Sequence, residues 1–254
     1  MDFTQDKGAV KMKKLLLPVV ALCCLTPTFA FATHPLLTES AETVAPKAVE
    51  AETAIEYGKK SGDKQFILQE TVTAGVIPHV DVFIALPFIS GDVDGSTNSG
   101  LSDISIGAKW NFGHVDAFAL AVKPALLLPL GDDKKNLGEG GVGFGATLIA
   151  STELANKISI DGNIGLKHQE TGDGSYNRFD LSVDGKFDET EHLKAVGEFA
   201  LSNTDESGST FQAYLAAGAI YALQKNLDVD LGLRLGLTSK SEDFRLLAGA
   251  TYKF

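Results

Sequence analysis

The run Leu227-Asp228-Val229-Asp230-Leu231-Gly232-Leu233-Arg234-Leu235-Gly236-Leu237 has an aliphatic residue at every odd position and a charged residue or glycine at every even one. Period-two alternation marks a β-strand, whose successive side chains point to opposite faces. One face of this strand is greasy and the other ionised. A water-soluble sheet would bury the leucines and solvate the charges, whereas a membrane barrel turns leucines to lipid and charges to its interior. The choice rests on the rest of the chain.

At the amino end, Met12, Lys13 and Lys14 open a basic patch, Leu15 to Leu25 is an apolar run, and Ala30-Phe31-Ala32 has the small-any-small pattern of a signal-peptidase site. Residues 1–32 therefore read as a short extension followed by a cleaved signal peptide, with Met12 the expected start. The run falls short of the roughly 20 apolar residues that a membrane helix needs, and no other stretch reaches that length. Cys23 and Cys24 lack the small preceding residue that lipidation favours. Both are expected to leave with the signal, so the mature chain has no thiol, disulfide or cysteine metal site.

The net charge is −11, and removing residues 1–32 takes Lys7, Lys11, Lys13 and Lys14 with Asp2 and Asp6, leaving −13. Such an acidic surface repels nucleic acid, which is set aside as a partner. Residues 33–47, rich in Pro, Thr, Ser, Glu and Ala without periodicity, read as an irregular periplasmic leader. From residue 48 to 254 alternating segments follow one another without a domain boundary.

The opening segment sets Val49, Ala51, Ile55 and Tyr57 against Glu50, Glu52 and Glu56. A hairpin about Ile77, Pro78 and His79 joins the second to the third, where Val80, Val82, Ile84, Leu86 and Phe88 face away from Asp81. Next, Ile104, Ile106, Ala108, Trp110 and Phe112 oppose Asp103, Ser105, Lys109 and Asn111. Segments about 116–130 and 142–153 alternate more weakly because Ala and Gly take inner positions, leaving room for long neighbours. Ile158, Ile160, Ile164 and Leu166 oppose Asp161, Asn163 and Lys167; Phe179, Leu181, Val183 and Phe187 oppose Arg178, Asp180, Asp184 and Lys186. Leu193, Ala195, Phe199 and Leu201 oppose Lys194 and Glu198, and Phe211, Leu215, Tyr221 and Leu223 oppose Gln212 and Tyr214. After the segment quoted first, Phe244, Leu246, Tyr252 and Phe254 oppose Arg245, Thr251 and Lys253. The segments number twelve.

An even count suits an antiparallel barrel with both ends on the periplasmic side. Connections at Pro78-His79, Gly113-His114, Asn156 and Gln224-Lys225-Asn226 read as tight periplasmic turns. Those after Lys59, Ile89, Leu130, Gln169, Asn203 and Thr238 read as longer outer loops, none long enough to fold back as a plug. A soluble sandwich would show edge strands and an uncharged inner face, because a buried unpaired charge costs several kcal/mol. The ionised faces here mix acids and bases, which an interior can pair. Tyr57, Trp110, Phe112, Phe187, Tyr221, Tyr252 and Phe254 fall near the rims as aromatic girdles. Tyr252 and the terminal Phe254 resemble the signal by which barrel assembly machinery recognises a closing strand. The reading is an all-β, 12-stranded antiparallel up-and-down transmembrane barrel of the bacterial outer membrane, surrounded by its lipid.

Gly100-Leu101-Ser102-Asp103-Ile104 followed by Gly107-Ala108-Lys109-Trp110 resembles the Gly-Leu-x-Asp strand of the outer-membrane family labelled "MetA-pathway of phenol degradation". His34-Pro35, Glu50, Glu52 and Tyr57 resemble that family's amino end, Leu128-Pro129-Leu130-Gly131 its Leu-Pro-Thr-Gly strand exit with Leu130 for Thr, and Glu198 and Gly218 its later strands. The resemblance covers the mature chain and implies an outer-membrane channel or transporter whose substrates are associated with aromatic degradation.

An enzyme is the rival class, since nucleophilic or water-activating chemistry needs a histidine beside a serine or carboxylate. By this register no histidine lies in the interior: His34 precedes the barrel, His79, His114 and His192 fall in turns, and His168 shares the lipid face of Leu166. Paired carboxylates such as Asp228 with Asp230 read as interior ion-pair partners, so no catalytic residue and no cofactor is expected. Asp92-Val93-Asp94-Gly95-Ser96 imitates a calcium loop but lacks its closing glutamate, so no metal is expected. Lys109, Lys123, Asp161, Lys167, Arg178, Asp180, Asp184, Glu198, Asp228, Asp230, Arg234 and Arg245 are the expected interior residues that set selectivity. The expectation is passive passage of small molecules. A closed structural barrel and, last, an outer-membrane hydrolase are the alternatives.

Overall fold

In the computed structural model, which describes residues 34–93, 96–203 and 211–254, every alternating segment is a strand. The expected signal, the expected start at Met12 and both cysteines lie outside the described residues. The strands are β1 (Val49–Lys60), β2 (Asp63–Ile77), β3 (Val80–Val93), β4 (Ser96–Leu101), β5 (Ile104–Val115), β6 (Phe118–Leu128), β7 (Gly140–Ala155), β8 (Ile158–Thr171), β9 (Ser175–Asp188), β10 (Leu193–Asn203), β11 (Phe211–Gln224), β12 (Leu227–Gly236) and β13 (Phe244–Lys253). β4 and β5 are two parts of one barrel strand, since β3 pairs with both, from Val93↔Ser96 to Phe88↔Leu101 and from Ala85↔Ser105 to Val80↔Trp110. The break falls at Ser102 and Asp103, where Asp103 turns to accept the Gly131 and Glu139 N–H groups at 3.0 and 2.8 Å. Counted this way the described barrel has twelve strands. Each pairs antiparallel with its neighbour and β1 pairs with β13, from Glu50↔Lys253 to Lys59↔Phe244, so the sheet closes.

The first and last strands meet at one end, where the Phe254 N–H donates to the Val49 carbonyl at 2.8 Å. Turns at this end are short, and His79 and Asp116 take positive φ to make them. The turn expected at Gly113-His114 lies three residues later, at Asp116-Ala117: β5 and β6 pair as far as Val115↔Phe118, and Gly113, at φ 134°, forms a bulge instead. The opposite end departs from expectation in its first connection. Instead of a long loop after Lys59, Lys60 pairs with Asp63 across a two-residue turn in which Ser61 and Gly62 both have positive φ, the backbone of a tight primed hairpin.

The alternation separates the faces completely on β12. Leu231 is 68% exposed and Leu233 40%, while Asp230 is 4% and Arg234 6% exposed. The apolar face points out of the barrel and the ionised face into it. Aromatic pairs mark both rims, the exposed Trp110 with Phe112 and Tyr252 with Phe254 at the terminal end, and the half-buried Tyr57 with Phe244 at the other. His168 lies outside, against Phe144 and Asn177.

Candidate functional site

The inner wall is built by the even positions of β12 and their counterparts on every other strand, so whatever fills the barrel meets ionised side chains. What fills it is the leader. The leader, expected over residues 33–47 in the periplasm before the barrel, instead runs inside it from residue 34, where the described chain begins. The physical reason is hydrogen bonding: a chain without periodicity cannot satisfy its own backbone groups, and the inner wall supplies partners for them.

The path follows from those partners. Beside β2, the Lys47 N–H donates to the Gly75 carbonyl at 2.7 Å and Gly75 returns a bond to Ala48 at 3.1 Å. Val44 donates to Asp81 on β3 at 3.1 Å. The Ala41 N–H donates to Ser151 on β7 at 2.7 Å, and its carbonyl accepts from Asn111 on β5 at 2.9 Å. The Ala41 methyl packs on Ala121 and Ile149, whose side chains are buried on the inner face. Glu39 forms an ion pair with Lys123 on β6. With its amide oriented to suit, Asn163 on β8 holds both backbone groups of Glu39, at 2.9 and 2.6 Å. Glu198 on β10 accepts from the Leu37 N–H at 2.8 Å, the Thr38 N–H at 2.5 Å and the Thr38 hydroxyl at 2.6 Å. His34 completes the circuit, its ring Nδ1 2.5 Å from Asp230 on β12 and its backbone N–H donating to Glu52 on β1 at 3.4 Å.

Inner glycines make the room. A Cβ on Gly232 would lie 2.8 Å from Pro35, one on Gly218 would lie 2.9 Å from it, and one on Gly75 would strike the Ala45 carbonyl at 2.2 Å. The small inner residues thus serve the leader at these positions. Elsewhere they serve long neighbours as expected: Phe83 lies over Gly107, and Gln169 over Gly143.

The expected interior residues all stand on the inner face, in several groups. Lys109 donates to the Ser40 carbonyl at 3.3 Å, and Lys123 lies 4.3 Å from the centre of the Phe83 ring. Asp161 and Asp184 face each other across β8 and β9 and share Lys186, at 2.5 and 3.2 Å. Lys167 contacts Tyr176 at 3.3 Å, and Arg178 pairs with Asp180 at 2.7 Å. Asp228 pairs with Lys253 at 2.6 Å. Arg245 binds Glu56 and Glu242, at 2.8 and 2.9 Å, and Arg234 is buried beside the leader. Residues outside the expected set include Glu39, Asp81 and Lys186, and above all His34, which corrects the expectation that no histidine reaches the interior. The His34–Asp230 pair is nonetheless incomplete as catalytic machinery. The Nε2 atom has no hydrogen-bond partner among the described residues and lies 4.0 Å from Glu56, a carboxylate rather than a hydroxyl.

Two cavities remain beside the leader. One, of about 350 Å³, runs along β1, β2, β3 and β5 past Glu50, Asp81, Phe83, Lys109 and Lys123; the other, of about 220 Å³, lies against β7 to β11 near Arg178, Asp180 and Tyr214. Leu37 and Glu39 line both, so the leader stands between them. Burial pushes the Glu39 carboxyl up, but Lys123 and Lys109 outweigh it and hold it below its ordinary value.

Over residues 33–254 the chain matches the family described as "Putative MetA-pathway of phenol degradation", and it belongs to that family. No curated protein matches it in sequence. Among solved structures, the NanC porin aligns over 81% of this chain and 100% of its own, with a TM-score of 0.58 at 8% identity. The KdgM porin in complex with disordered oligogalacturonate aligns over 82% and 99%, at 0.55 and 8%. The beta domain of the Bordetella autotransporter BrkA aligns over 81% and 98%, at 0.51 and 12%. At these identities the likeness is one of fold, that of the bacterial outer-membrane barrel. Five residues that carry the family resemblance take part in holding the leader: His34 and Pro35 belong to it, Glu52 and Glu198 bind it, and Gly218 makes room for it.

Proposed function

We propose that the protein is an outer-membrane channel that passes small molecules passively, with both termini on the periplasmic side and the leader as the element that closes it. The observation that carries this reading is the nature of the obstruction. The barrel's own side chains leave space, and what fills it is a terminal segment held by hydrogen bonds and ion pairs, with cavities of about 350 and 220 Å³ on its flanks. A segment held this way can leave without breaking the barrel, because every strand pair closes without it.

Lys109, Lys123, Asp161, Lys167, Arg178, Asp180, Asp184, Glu198, Asp228, Asp230, Arg234 and Arg245 are assigned the role of setting selectivity once the leader yields. The family's description favours aromatic or hydrophobic cargo. In this reading Tyr252 and Phe254 present the closing strand to the assembly machinery, and the apolar outer face meets outer-membrane lipid.

One observation favours a second reading. Glu198, Asp230 and Asn163 hold the leader at several points, as they would in a permanently closed structural barrel. Liposome swelling separates the two. Vesicles carrying the purified protein should swell in small organic solutes, faster when the leader is loosened. No swelling in either case would leave the structural barrel.

A further inference from the structure

Within the described leader the Glu39 carboxylate forms an ion pair with a lysine of the wall, and the surroundings of that contact have the composition of a ligand site. Lys123 binds the carboxylate and packs its ammonium 4.3 Å from the Phe83 ring centre. Lys109 holds the next residue of the leader, donating to the Ser40 carbonyl at 3.3 Å, and its charge acts on the Glu39 carboxylate that Lys123 binds. The third lysine of the same cavity is already matched, since Lys186 sits 2.5 Å from Asp161 and 3.2 Å from Asp184. Asp81, opposite Lys109 in register, accepts from the Val44 N–H instead. The cavity then continues from Glu39 past an apolar patch of Phe83, Ala85, Ala54 and Leu36, with the wall carboxylates of Glu50, Glu52, Glu56 and Asp81 beyond it. A pair of lysines beside that apolar patch suits the carboxylate of a small organic acid, one compact enough to stay clear of the wall's own carboxylates.

We propose that Lys123 and Lys109 form a binding subsite for the carboxylate of a small organic acid, and that Glu39 occupies it in the closed barrel as a built-in competitor. The proposal rests on the reading of the barrel as a channel and adds to it the class of solute. A free organic acid reaching Lys123 does the electrostatic work that Glu39 does, so its binding and the seating of the leader oppose each other.

The test uses the full chain, purified in detergent, with calorimetric titration of benzoate and of benzamide, its neutral counterpart of similar shape. Glu39→Gln removes the competing charge and is expected to tighten benzoate binding by about tenfold, with no comparable gain for benzamide. Adding Lys123→Gln is expected to abolish that gain and adding Lys123→Arg to keep it; resistance to unfolding on unheated gels verifies that each barrel is formed. Equal affinities for benzoate in the wild type and Glu39→Gln, or an equal gain for benzamide, would overturn the subsite. Binding without transport would overturn the channel and leave the subsite. Transport without discrimination between the two probes would do the reverse.

Discussion

Glu198 on β10 accepts both the backbone N–H and the hydroxyl of Thr38, at 2.5 and 2.6 Å, joining residues 160 positions apart in the chain. The same carboxylate oxygen takes the Leu37 N–H, and Glu198 is only 3% exposed. Bonds to a buried charge are worth about 1.5 to 3 kcal/mol each. Glu198→Gln keeps the shape and removes the charge, so it should loosen the leader without opening the sheet. Hydrogen exchange at the Leu37 and Thr38 amides should accelerate by at least about tenfold, while the β10 and β11 amides remain protected.

Pro35 fits where Gly232 has no side chain, and a Cβ there would lie 2.8 and 3.0 Å from the proline ring but 3.4 Å from the nearest wall carbonyl. Gly232→Ala should therefore displace the leader's end and spare the barrel. Proteinase K should remove leader residues faster in the variant, as read by mass spectrometry, with an unchanged thermal midpoint for the barrel.

The outward face of β12 makes the opposite demand. Leu233 is 40% exposed on the apolar surface and next in sequence to the inward Arg234. In a bilayer, Leu233→Arg near the midplane should cost about 2 to 4 kcal/mol. Denaturant unfolding from lipid vesicles measures this, and a cost below about 0.5 kcal/mol would contradict lipid contact at that position.

The strand pattern was legible because a strand's face depends only on parity: Leu231 and Asp230 declare their sides by themselves. The interior residues followed from the same rule, since Glu198 and Arg234 needed only a register. Their partners were not legible. Residues 34–48 have no period, and their backbone groups are held by side chains on strands far along the chain, such as Asp81, Ser151 and Asn163. Inner glycines carry a signal that parity does not reveal, for Gly232 makes room for Pro35, and Gly218 for both Pro35 and the close Leu231 carbonyl of the neighbouring strand. The tight turn at Ser61-Gly62 was missed because serine rarely takes the positive φ it adopts there.

Acid should release the leader in a way that Glu39 controls. Its carboxyl is held below the ordinary value by Lys123 and Lys109 against burial, so its contribution to docking is fully present above the ordinary carboxylate range. It is lost as pH falls through the lowered value. Leader protection in hydrogen exchange, compared between wild type and Glu39→Gln, should differ at neutral pH and converge in acid. A difference that stays constant down to about pH 2 would show that the Glu39 charge does not hold the leader.

Single-channel recording in planar bilayers tests the central claim most directly. The full chain should conduct rarely or in small steps, and the double variant Glu198→Gln, Gly232→Ala should show frequent, larger steps as the leader leaves the interior. If the loosened barrel is as silent as the wild type, while hydrogen exchange shows its leader released, the protein is not a channel closed by its own amino-terminal segment.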